Sequence, residues 1–147
     1  MVTNNKIILF LENITQWAAA QPDIQALALV GSYARGTETD ISDIDLIFIT
    51  VEPKFYLDNT DWIQQFGIIE KQQIEYYGLV TSIRVWYING FEIEYGITGE
   101  RWVSIPLDEG TRQVISDGMQ ILFERGNILS RHQSTSPELP YSESLKE

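Results

Sequence analysis

The sequence predicts a mixed α+β domain, with helices packed on a sheet that is not purely parallel. Two apolar runs, "IQALALV" (24–30) and "IDLIFITV" (44–51), have the length and composition of buried strands. Residues 5–20 space Ile7, Ile8, Leu11, Ile14 and Ala18 as one helical stripe. Asn89-Gly90 lies between alternating β-branched and aromatic runs in "SIRVWYINGFEIEYGIT" (82–98), which predicts a hairpin with a two-residue turn. A hairpin at this place argues against an all-parallel sheet.

The remaining elements follow in order. Pro22 and Asp23 end the first helix, and Gly31 punctuates the first strand. Pro53 closes the second strand. Residues 54–77 are ambiguous, with Asn59 or Thr60 able to cap a short helix through Phe66 and Gly67 to end it. Asp108 can cap a helix reaching Ser116, Asp117-Gly118 makes a turn, and "MQILFER" is a last strand. Residues 1–132 are expected to form a single domain, and 133–147, polar and proline-containing, a flexible tail.

Composition narrows the class. The chain has 147 residues, 44% hydrophobic and 21% charged, which is ordinary for one globular domain. It has no cysteine, so disulfides and thiolate-bound zinc are excluded. The net charge is −11, and no Lys/Arg cluster exists to displace counterions from a phosphate backbone. Nucleic acid is therefore not expected as the main partner. The first apolar run is too short and too polar to span a membrane and lacks a small-residue cleavage site, so a cytoplasmic protein is expected.

The chemistry concentrates in "GSYARGTETDISDIDLIFI" (31–49). Asp43 and Asp45 stand two apart at the start of a strand, so their side chains share a face while Ile44, Leu46 and Phe48 point to the core. Two carboxylates about 7 Å apart repel unless a cation lies between them, and Mg²⁺ favours such oxygen ligands together with substrate phosphates. Upstream, the Gly31-Ser32 bend leads from a strand into a short helical segment, where backbone N–H groups can hold phosphate oxygens. Ser32 adds a hydroxyl. Arg35 is either a further phosphate contact or a solvated helix-end residue.

These residues resemble the signature of the nucleotidyltransferase superfamily: Gly-Ser, about a dozen residues, then Asp-x-Asp and an apolar residue. That superfamily includes DNA polymerase β, the antibiotic nucleotidyltransferases and the small MNT proteins. Ala34-Arg35-Gly36 and Ser42 are most similar to the small bacterial members. The resemblance covers roughly residues 24–130. It implies that Gly31 and Ser32 hold a triphosphate, that Asp43 and Asp45 bind magnesium (a two-metal site, with Mn²⁺ as a substitute), and that a third carboxylate completes the site. Glu92 and Glu94 are the candidates, and Glu94 is preferred because it lies farther into its strand. Glu92 can instead pair with Arg84 across the hairpin.

The implied reaction is attack by an acceptor hydroxyl, of a small molecule or a protein, on the α-phosphorus of a nucleoside triphosphate, with pyrophosphate leaving. The alternative the resemblance implies is an MNT-type antitoxin that binds, and can nucleotidylate, a helical HEPN toxin. A catalytically silent nucleotide sensor is a third class. Trp86 and Trp102 are expected in the core rather than stacked on a ring, and His132 is expected at the surface without a catalytic role.

Overall fold

The computed structural model describes residues 4–37, 43–103 and 109–133. Helix α1 spans Asn4–Ala20, and strand β1, Ile24–Val30, leads into the short helix α2, Gly31–Arg35. Strand β2, Ile44–Thr50, is followed by α3, Pro53–Asp58, and a 3₁₀ turn at Asp61–Phe66. Strands β3 (Ile69–Tyr77), β4 (Val80–Tyr87) and β5 (Glu92–Thr98) come next, then a 3₁₀ turn at Glu100–Val103. Helix α4 (Glu109–Asp117), strand β6 (Gln120–Glu124) and helix α5 (Ser130–Gln133) complete the order.

The six strands form one mixed sheet in the order β3-β4-β5-β2-β1-β6. Only β2 and β5 pair in parallel, and every other neighbour pair is antiparallel. The α+β expectation holds.

The central strands are apolar on both faces because both faces are covered. On one side Leu27, Leu29, Leu46 and Phe48 pack with Ile7, Phe10, Ile14 and Ala18 of α1. Trp62 is wedged there, stacked on Trp17 at 5.0 Å and edge-on to Tyr95 at 5.1 Å. On the other side a smaller cluster joins Ala26, Ala28, Val30, Ile47 and Ile49 to Trp102, Val103 and Leu129. The acidic residues of β2 and β5 lie on this second face.

Several local expectations are corrected. The buried stripe of α1 runs through Phe10, whereas Ile8 is 55% exposed. At 100° per residue Ile8 is rotated off the Ile7–Ile14–Ala18 line, and Phe10 falls on it. Strand β3 is hidden in the ambiguous stretch because all nine of its residues are half-buried or exposed, an edge strand without an apolar period. In the 3₁₀ turn before it, Asn59 Oδ1 accepts the Asp61 N–H at 3.0 Å, so Asn59 rather than Thr60 supplies the side-chain contact.

The hairpin has three loop residues, not two. Tyr87 N–H donates to Phe91 O at 2.9 Å and Gly90 N–H to Tyr87 O at 3.1 Å, with Gly90 at φ 100°. That is the turn-plus-bulge solution, and Asn89 Oδ1 secures it by accepting the Phe91 N–H.

His132 is buried, not at the surface: its Nε2 lies 2.8 Å from Val103 O. Glu124 Oε1 accepts the N–H groups of Leu129 and Ser130, which starts α5 and turns His132 inward. Helix α5 ends at Gln133, and the rest of the expected tail lies outside the described residues. So do Ser42 and Asp108, two further residues of the expected pattern. Among the described residues, no helix is long and apolar enough to cross a membrane.

Candidate active site

The site begins with a register. Asp45 of β2 stands directly beside Glu94 of the parallel strand β5, and beside Val30, the last residue of β1, on its other flank. The residue after Val30 is Gly31, whose φ of 76° is the left-handed conformation that glycine tolerates. A Cβ at Gly31 would collide with Asp45 Oδ2. The bend is thus pressed against the carboxylate, and only a residue without a side chain fits.

Asp43, Asp45 and Glu94 each present one carboxylate oxygen such that the three lie within 4.8 Å of one another. Burial, then the neighbouring charges of Asp43 and Glu94, push the Asp45 carboxyl up to about 8. Burial also raises Glu94, against the opposing pull of Arg84. Asp45 Oδ1 is buried with no hydrogen-bond partner among the described residues. An unpartnered buried carboxylate oxygen, all-oxygen donors and crowded negative charge are the chemistry of a hard divalent cation site. The residues fit such an ion.

Glu92 shares the face of Glu94 but is engaged elsewhere: its Oε2 accepts Arg84 Nη1 at 2.8 Å. The pairing expected across the hairpin is present, and Glu92 stays outside the convergent group. Arg84 reaches further than expected. It also bonds Asp43, Glu94 and Glu75, and Glu75 is held at about 2, first by the Tyr77 hydroxyl and then by Arg84. Sequence reading missed Glu75, because its strand carries no periodic signal.

Ser32 is the second residue of α2, directly after the Gly31 bend, and its carbonyl takes the Thr37 N–H at 2.9 Å. Arg35 lies exposed in the last turn of α2, its Cγ close to Gly118. Trp102 is buried in the second-face core as expected; Trp86 is only half-buried, with Lys71 Nζ 4.8 Å over its ring. Beside Asp45 and Glu94 opens a largely apolar cleft of about 490 Å³, lined by Ile47, Tyr77, Leu79, Val80 and Trp102 among others.

A mixed sheet that brings an Asp-x-Asp strand, a parallel acidic strand and a glycine bend to one face is the architecture of the nucleotidyltransferase superfamily. Within it, the family model described as streptomycin adenylyltransferase matches residues 5–85, and the chain belongs to that family. The matched span holds Gly31, Ser32, Asp43 and Asp45, and ends before Glu94.

Among solved structures, an aminoglycoside 6-adenyltransferase from Bacillus subtilis aligns at 14% identity and a TM-score of 0.53, over 69% of this chain and 37% of that one. The likeness is one of fold, and this chain spans little more than a third of that protein. The polymerase core of TRAMP, an RNA surveillance complex, aligns more loosely, at 18% identity and a TM-score of 0.46, over 63% and 29% of the two chains. A toxin–antitoxin structure with AMP-PNP covers 90% of this chain and 86% of its own at 14% identity, but its TM-score of 0.38 supports no argument. Among curated proteins, none matches significantly.

Proposed function

We propose that this chain is a nucleotidyltransferase domain that moves a nucleoside monophosphate from a triphosphate to an acceptor hydroxyl, releasing pyrophosphate. The observation that carries the reading is the meeting of Asp43, Asp45 and Glu94 within 4.8 Å, with Gly31 packed against Asp45. Membership in an adenylyltransferase family makes ATP the first nucleotide to test.

Asp43, Asp45 and Glu94 would hold the divalent cation, with Mg²⁺ expected from the all-oxygen set. When bound, that cation supplies positive charge to the transferring phosphate and to the oxygens entering and leaving it. The Gly31 and Ser32 amides orient the polyphosphate, since the Gly31 bend lies against Asp45. Glu94, raised by burial, stands on the cleft wall where an acceptor hydroxyl can reach it, and takes that proton as general base. The apolar cleft walls exclude water from the acceptor and limit hydrolysis. Arg35, solvent-exposed, serves as an outer phosphate contact.

The test is incubation with Mg²⁺, labelled ATP and candidate acceptors, using Asp43→Asn and Asp45→Asn as controls. Label transfer that persists in both variants refutes the proposal. For the antitoxin alternative, the readout is copurification of a helical protein in stoichiometric amount from the native host.

A further inference from the structure

The guanidinium of Arg84 lies among carboxylates of two kinds. Nη1 bonds Asp43 Oδ2 at 2.8 Å and Nη2 bonds Glu94 Oε1 at 2.7 Å, both members of the convergent group. Nη1 also bonds Glu92 Oε2 at 2.8 Å, and Nε bonds Glu75 Oε2 at 3.1 Å, neither of them in that group. Arg84 makes no bond to Asp45, whose Oδ1 is buried with no hydrogen-bond partner among the described residues.

We propose that Arg84 is a tethered counter-cation that competes with the divalent metal for Asp43 and Glu94, and so sets how tightly this site holds metal. The inference rests on the nucleotidyltransferase reading of the same carboxylates. Strand register, not Arg84, places Glu94 beside Asp45, so removing the guanidinium leaves those two acids facing each other. Metal entry must loosen two charge-assisted bonds and bring two positive charges beside a third. Glu75 and Glu92 retain the guanidinium when that happens, because they hold it by separate bonds. Arg84 is a positioning residue in this scheme. It carries no step of the transfer.

The experiment measures Mn²⁺ affinity of the full chain by EPR and calorimetry, without nucleotide, for wild type, Arg84→Gln, Arg84→Lys and Asp45→Asn. Loss of two charge-assisted bonds to the site predicts that Arg84→Gln binds Mn²⁺ about tenfold tighter than wild type. Arg84→Lys keeps the charge but cannot span both carboxylates, so its affinity is expected between the two. Arg84→Gln affinity equal to or weaker than wild type overturns the proposal, as does Arg84→Lys affinity no tighter than wild type. Should Arg84→Gln fail to fold, the Lys variant alone decides on the same criterion. Mn²⁺ binding abolished by Asp45→Asn but unchanged by Arg84 substitution would leave the metal site standing and sink only the competition. Absence of Mn²⁺ binding in wild type and in both Arg84 variants overturns both readings.

Discussion

Replacing Asp45 by Asn should make the metal-free protein more stable, an unusual outcome for a residue at the centre of a site. Burial, Asp43 and Glu94 raise this carboxyl from 3.8 to about 8. The unfolded chain therefore releases the Asp45 proton near pH 4 while the folded chain keeps it until about pH 8. The sign is that of a raised acid: folded-state stability is intact below the unfolded value and falls as pH climbs through this window. At about 1.4 kcal/mol per unit, the full shift corresponds to about 6 kcal/mol. Asp45 retains some solvent contact and is hydrogen-bonded to Asp43 and Glu94, so only part of the shift is recovered, and about 2 kcal/mol is the expected net gain for Asp45→Asn above pH 8.

For a domain of this size that gain raises Tm by about 5 °C. Thermal melts followed by circular dichroism, in EDTA at pH 4 and pH 9, read it directly. The two proteins should melt together at pH 4 and diverge at pH 9, with the Asn variant higher. Adding Mn²⁺ should reverse the order, because wild type alone gains binding energy. An Asn variant no more stable than wild type at pH 9 without metal would refute the electrostatic account.

Three other outcomes follow from the same geometry. Glu94→Gln should weaken Mn²⁺ binding about a hundredfold in titrations whereas Glu92→Gln changes it less than about threefold, since only Glu94 belongs to the convergent group. Gly31→Ala should cost about 2–4 kcal/mol in urea denaturation and weaken Mn²⁺ binding too, because the positive φ is strained and the new Cβ strikes Asp45. Phe48→Ala, 1% exposed on the opposite face, should lose about 3–4 kcal/mol yet leave the Mn²⁺ affinity of the folded protein unchanged.

Legibility from sequence followed periodicity. Strands β1 and β2 were readable because two covered faces demand unbroken apolar runs, and the Asp-x-Asp pair stood out as the polar exception in such a run. Helix α1 was readable to within one position of its stripe. Strand β3 was not, because an exposed edge imposes no hydrophobic pattern, and Glu75 was lost with it. The burial of His132 was equally hidden, since it depends on Glu124 capping a helix that contains the histidine.

The local sequence alone determined that Asp43 and Asp45 share a face, that a glycine bend ends the preceding strand, and that two glutamates follow a hairpin turn. Those are properties of a two-residue repeat and of backbone conformations that glycine favours. Only the tertiary structure decided which glutamate joins them. The parallel pairing of β2 with β5 sets Glu94 opposite Asp45, and the antiparallel return of β4 puts Arg84 opposite Glu94. Register between strands distant in the chain comes from packing of the whole sheet, and a shift of two residues would have brought Glu92 to Asp45 instead.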